Sequence, residues 1–199
     1  QRLGMAGRVA GSHLTSMHSM DNYYASKLIP LIAEAGVAAI ANPLINLVIQ
    51  GRHDTFPKRR GLTRIKELQE AGVAVAFGHD CVMDPWYSLG SGDMLEVAHM
   101  AIHAAHLTAQ DAMRGAFAAV TSVPAGILGL DGYGLAPGNP AHLVLLDAGD
   151  PIEAIRLKAT RLAVVRHGAV IARTPARSTT LDLEGRPAEV SLRWPTEAG

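Results

Sequence analysis

Two residues far apart in the chain carry side chains suited to the same chemistry. His13 ends the triplet Gly11-Ser12-His13, and Asp80 ends Phe77-Gly78-His79-Asp80. An imidazole can donate, accept or carry a proton near neutral pH. A carboxylate can bind a divalent metal or act as a base. Both follow short apolar runs, so both stand just past the end of a strand-like segment. A carboxylate buried at such a place is costly without a partner, which makes His13 and Asp80 more informative together than apart. His18 lies close enough to His13 to compete for the assignment, and His79 adjoins Asp80.

The remaining reactive groups carry less. His99 and His103 have i, i+4 spacing, with His106 on a neighbouring helix face. That spacing can bind zinc, but Met100 stands where the metalloprotease pattern requires glutamate. The expectation for this pair is structural, with the imidazoles bonded at a helix–barrel seam. Cys81 is the single cysteine. It lacks a local base and a thiol partner, so it is not read as a nucleophile or as half of a disulfide. No P-loop or dinucleotide glycine motif is present, and Gly90-Ser91-Gly92 reads as a flexible loop.

The elements that must position His13 and Asp80 are marked by an internal echo. Glu34-Ala35-Gly36-Val37-Ala38 recurs as Glu70-Ala71-Gly72-Val73-Ala74, and residues 4–10 form a looser copy. In each copy a helix stops at a glycine, where a left-handed cap costs little, and a small or β-branched apolar run follows. The runs at residues 9–11, 37–41 and 73–77 suit strands of a parallel sheet buried on both faces. Helical patterns lie between them. Residues 21–35 carry Pro30 as a kink, and residues 63–71 offer Thr63 as an N-cap. Strand, helix and strand at this spacing predict βαβ units. The strands end in Ser12-His13, Asn42-Pro43 and Gly78-His79-Asp80, and functional groups of parallel α/β folds collect beyond such ends.

Beyond Asp80 the pattern predicts a loop over residues 81–92 and helices over 93–106 and 108–120, with a short helix from Ser122 to about residue 129. From Gly138 the chain reads as short strands at residues 141–146, 163–166, 169–172 and 179–183, then a polar, proline-containing tail or wrapping arm from Glu184.

Composition narrows the class. Hydrophobic residues are 48% and charged residues 18% of 199, which suits a packed core rather than disorder. Net charge is zero, and the one basic cluster, Lys58-Arg59-Arg60, is short and reads as a solvated loop. This balance points away from nucleic acid and anionic membrane as partners. Residues 28–49 are apolar but interrupted by Pro30, Glu34 and Pro43, so they read as buried helix and strand rather than a membrane span. One cysteine and no leader-like start predict a reducing, cytoplasmic setting.

Several motifs together resemble the cytosine deaminase branch of the metal-dependent amidohydrolase superfamily. They are Gly11-Ser12-His13 with Met17-His18-Ser19, Ala41-Asn42-Pro43-Leu44, and the stretch from Gln50 to Gly61. They continue in Phe77-Gly78-His79-Asp80, Asp84-Pro85-Trp86-Tyr87 and Gly138-Asn139-Pro140-Ala141-His142-Leu143-Val144. The resemblance implies an α/β fold, the C-terminal portion of a distorted (β/α)8 TIM barrel plus strands of a small β-sandwich. Residues 1–137 would then hold barrel strands six to eight, and residues 138–199 the sandwich strands and tail.

On that resemblance Asp80 matches a metal ligand that also helps take a proton from water, and His13 matches a histidine touching the reactive water or substrate. Trp86 matches an aromatic residue lining the substrate pocket. Cys81 stands where such deaminases commonly have a second aspartate at the substrate, which suggests room for an apolar group on the ring and a preference for 5-methylcytosine over cytosine. The implied reaction is hydrolytic deamination of a pyrimidine base with one divalent ion, Zn2+ or Fe2+. The family's other metal ligands and its proton-shuttling glutamate would lie upstream of Gln1. A complete barrel needs roughly 250 residues, so the expected partner is a missing N-terminal half of the barrel, and the fragment alone is expected to be inactive. The resemblance also implies a homo-oligomer. Three alternatives stand beside this reading: an amidohydrolase acting on an N-substituted triazine or other cyclic amidine, a split-enzyme subunit or inactive fragment, and a complete flavodoxin-like domain. The last would need five strands where three fit.

Overall fold

The computed structural model describes residues 3–193. Its first half is built on three parallel strands, β1 (Val9–Ser12), β2 (Val37–Ala41) and β3 (Val75–Phe77). They lie side by side in chain order, with Val9 opposite Val37 and Ala41 opposite Phe77. Parallel strands in sequence order place all three carboxyl ends on one edge. Two amides carry the ladder one residue further. His13 N–H donates to the Ile40 carbonyl at 2.8 Å, and Gly78 N–H donates to Ala41 at 2.9 Å.

Helix α1 (Asn22–Glu34) joins β1 to β2, and α2 (Pro43–Ile49) and α3 (Ile65–Glu70) join β2 to β3. α1 starts where the Asp21 carboxylate accepts the Tyr24 amide, and it contains Pro30 as expected. α2 was not foreseen. Pro43-Leu44-Ile45-Asn46 is wholly buried, so no polar face exists to reveal a helical period. α3 starts at Ile65, and Thr63 does not cap it, a correction to the sequence reading. The Thr63 hydroxyl instead points at the Met17 sulfur, 3.4 Å away. The strand expected at 73–77 begins only at Val75. β1 and β3 are the two ends of this sheet, but β3 is buried throughout because α3, α4 and α6 pack on it, whereas Val9 and Ala10 of β1 are exposed. On the far side of β3, the Phe77 amide donates to the Ala119 carbonyl rather than to a strand.

After β3 come α4 (Met94–Ala104), α5 (Gln110–Ala118) and α6 (Ser122–Ile127), each where the pattern placed one and slightly shorter. A second sheet is antiparallel, with β4 (Leu143–Leu146), β5 (Arg161–Arg166) and β6 (Ala169–Arg173) in chain order. The strand expected at 179–183 is only a single bridge from Thr180 to Glu189. An unforeseen helix, α7 (Pro151–Leu157), separates β4 from β5 and packs on α4 and α5. Its start is a variant of the capping box: the N-cap Asp150 accepts the Glu153 amide, and the buried Glu153 carboxylate reaches one residue further back to accept the Gly149 amide. The tail from Glu184 is tied back where it is described: Arg193 meets Asp147, and Arg156 donates to the Leu192 carbonyl. Its last residues, 194–199, lie outside the described residues. Among the described residues, no helix is long and apolar enough to cross a membrane.

Candidate active site

The carboxyl edge of the parallel sheet brings the two leading candidates into contact. His13 Nε2 lies 2.9 Å from Asp80 Oδ2, across the end of β2 that separates their strands. Both side chains are partly exposed, so the pair faces outward from the sheet edge. Both residues sit in the left-handed region, His13 at φ 66° and Asp80 at φ 65°. Non-glycine residues avoid that region unless their surroundings enforce it, and such positions cluster at working sites.

Two asparagines not singled out as site residues from sequence complete the floor. Asn42, at the end of β2, donates from Nδ2 to Ser12 Oγ at 3.1 Å. Its side chain also explains Gly78, where a Cβ would stand 2.3 Å from Asn42 Oδ1. Asn46, wholly buried in α2, places Nδ2 3.0 Å from His13 Nδ1.

Cys81 also joins the pair. Its thiol lies 3.4 Å from Asp80 Oδ1. The carboxylate of Asp84, then burial and Asp80, push it up to about 12. Cys81 is therefore a neutral thiol at physiological pH, in line with its exclusion as a nucleophile. Asp84 in turn accepts the Trp86 and Tyr87 amides at 2.9 Å each, folding the loop that carries Trp86. The indole of Trp86 is exposed and the Tyr87 ring is buried.

His79 has a different part from its neighbour. It is 8% exposed and fully engaged. The Gly92 amide donates to its Nε2 at 3.2 Å, so Nδ1 carries the proton and donates to the Cys81 carbonyl at 3.0 Å. Gly90 is required beside it, because a Cβ there would stand 2.5 Å from the His79 ring and the backbone has φ +86°. His79 thus pins both ends of the loop between Cys81 and Gly92. His79→Ala is expected to cost about 2 kcal/mol, from two hydrogen bonds and lost packing. It should also speed amide exchange at Gly92 and across residues 82–92. Unchanged protection there would remove this anchoring role.

The other candidates do not reach the site. His103 Nδ1 bonds the His99 carbonyl at 2.7 Å on α4, and the two rings lie tilted at 45° with centroids 4.5 Å apart. Burial, then the charges of Lys158 and His103, push the His99 imidazole down, so it is neutral at pH 7. His18 and His106 flank Arg60, whose guanidinium donates to the Ala104 carbonyl at 2.8 Å. Arg59 pairs with Asp54 and holds that carboxyl down at about 2. The basic cluster is thus partly spent on internal contacts.

A divalent ion suits these donors only in part. Asp80 offers hard carboxylate oxygen and His13 an imidazole, but among the described residues no three His, Cys, Asp or Glu side chains form a metal-holding group. A metal held by protein side chains needs about three or more. His13 and Asp80 by themselves do not make up such a site.

The family model of the amidohydrolases matches residues 1–180. The chain belongs to the amidohydrolase family. Members of its superfamily work with a divalent metal. The chain is 37% identical over 175 residues to a pterin deaminase of Rhizobium rhizogenes, covering 87% of this chain and 40% of that protein. It is 27% identical to an N-isopropylammelide isopropyl amidohydrolase of Pseudomonas, covering 84% and 39%. Its fold matches a 5-methylcytosine deaminase from Klebsiella pneumoniae, solved with 5-fluorocytosine, with a TM-score of 0.87 and 40% identity over 90% of this chain and 44% of the other. These relatives are hydrolases of small ring compounds, and the chain spans about two fifths of their length.

Proposed function

We propose that the protein containing this chain is a metal-dependent hydrolytic deaminase of a pyrimidine ring, with 5-methylcytosine preferred over cytosine. The observation that carries the reading is the 2.9 Å contact of His13 and Asp80 at the carboxyl ends of two parallel strands. The chain would supply strands six to eight of a distorted (β/α)8 barrel from residues 1–137 and strands of a β-sandwich from residues 138–199. An N-terminal half would supply the remaining ligands for one Zn2+ or Fe2+, and copies of the whole protein would associate as a homo-oligomer.

The residues divide the work. A divalent metal held here would supply the acidity that lets water act as a nucleophile near neutral pH. Asp80 would help hold the metal and would accept a proton from the attacking water. His13 directs its Nε2 edge at the same point and steadies the charge that develops during attack. Trp86, raised on the loop pinned by His79 and Asp84, would cover the ring. Cys81 stands against Asp80 as an uncharged, compact neighbour, which leaves room for a methyl substituent.

The test is an ammonia-release assay of the full-length protein on cytosine and 5-methylcytosine, with pterin alongside, and N-isopropylammelide followed by release of isopropylamine. A kcat/KM for 5-methylcytosine above that for cytosine supports the proposal. Turnover of pterin or N-isopropylammelide alone moves the specificity to those rings. Cys81→Asp is expected to shift the ratio about tenfold toward cytosine, the scale that one methyl group carries in a fitted pocket. A ratio unmoved by Cys81→Asp would take Cys81 out of the pocket.

A further inference from the structure

The amide of Asn46 is the least expected polar group in the molecule. It lies in Pro43-Leu44-Ile45-Asn46-Leu47-Val48-Ile49, an otherwise apolar helix, and its exposure is 0%. Burying an amide costs free energy unless its hydrogen bonds are made. Among the described residues its one side-chain partner is His13: Nδ2 stands 3.0 Å from Nδ1, while Oδ1 is buried with no partner among them. The amide is thus kept in the core for a single bond to the imidazole.

The two bonds of His13 fix where its proton sits. On one side Nε2 stands 2.9 Å from Asp80 Oδ2, an acceptor, and presents its hydrogen to it. On the other side Asn46 Nδ2 can only donate, so Nδ1 must present its lone pair. We infer that Asn46 is a positioning residue that holds His13 as the neutral Nε2–H tautomer, with its N–H edge turned to Asp80 and the substrate side. In that state His13 donates a hydrogen bond and takes no proton from water, and the proton acceptor at the site is Asp80. His79, one residue from Asp80, is held in the opposite tautomer by the Gly92 amide, so the site sets two imidazoles in two different ways.

This inference rests on the deaminase reading only for its catalytic meaning, and its test is spectroscopic. The full-length protein is labelled with 15N-histidine, and the His13 ring nitrogens are identified by their loss in His13→Gln. At neutral pH, the unchanged protein is expected to show His13 with a bare Nδ1 and a protonated Nε2. Asn46→Asp, whose carboxylate accepts, is expected to bring a proton onto Nδ1. Asn46→Leu, which cannot bond the ring, is expected to mix the tautomers. Its kcat on the deaminated ring should fall about 10- to 100-fold, with KM changed less than about threefold. A proton on Nδ1 in the unchanged protein overturns the inference. So does a ring signature that folded Asn46→Asp and Asn46→Leu leave unaltered. Should the variants not fold, the spectrum of the unchanged protein decides alone. If that spectrum is as expected but no ring is deaminated, the tautomer assignment stands and the deaminase reading falls.

Discussion

Asp80→Asn in the full-length protein is expected to lower kcat/KM at least about 100-fold and to reduce bound metal at the same time. The substitution is nearly isosteric, so the left-handed backbone at residue 80 and the contact with His13 can persist. What changes is chemistry: a carboxylate, the metal ligand of the proposed function, becomes an amide where it faces His13 Nε2 and the Cys81 thiol. A positioned general base contributes on the order of 100- to 10,000-fold, and loss of metal affinity adds to that. The measurements are turnover and metal content on the same preparation. Asp80→Asn with both near normal would end the role assigned to this residue. His13→Gln gives the companion value. Because the two side chains touch, the double variant should fall well short of the summed effects, as for residues acting as one unit.

That pairing was legible in the sequence because each partner follows a short apolar run ending a strand, and the strands run parallel. Parallel order puts all such endings on one edge, whatever the helices between them do. The parts that were not legible share a physical reason. Asn46 sits in a helix with no polar face, so neither helical period nor a neighbouring motif exposed it. The one available signal was a lone amide in an apolar run. His79 was read only as a neighbour of Asp80, since its partners are the backbone groups of Cys81 and Gly92, which carry no sequence signature. Thr63 showed the reverse error. A residue of the right type preceded the helix, but its hydroxyl found a closer use beside Met17. α7 did announce itself through Asp150, Pro151 and Glu153, a cap, a first-turn proline and a reciprocal acid. It was missed because the strand-like segments around it set the expectation for the whole region.

Asp93 ties the start of α4 to β5, and its loss should be the most destabilising of the polar substitutions considered. It caps α4 by accepting the Leu95 amide at 2.7 Å. The same carboxylate takes a two-pronged bond from Arg161 of β5, at 2.6 and 2.9 Å. Asp93→Ala removes the cap, about 1 kcal/mol, and strands a half-buried guanidinium. Breaking a fully buried pair costs about 3–5 kcal/mol, but Arg161 is 37% exposed and Asp93 23%, so water recovers much of that. The expected total is about 2–3 kcal/mol by denaturant unfolding. Asp93→Asn keeps a capping oxygen and should cost less, which separates the cap from the ion pair. Acid sensitivity supplies the sign. Burial works against ionisation of Asp93, but Arg161 and the amides of α4 more than offset it, so its carboxyl titrates below the ordinary range. A depressed carboxylate contributes stability that is full above its unfolded value, about 3.9. The contribution is lost as pH falls through the lower folded value. The gap in stability between the unchanged protein and Asp93→Asn should therefore be constant from neutral pH to about 5 and close as pH falls below about 4. A gap that persists undiminished into acid would mean that the Arg161 bond does not depend on the charge of Asp93.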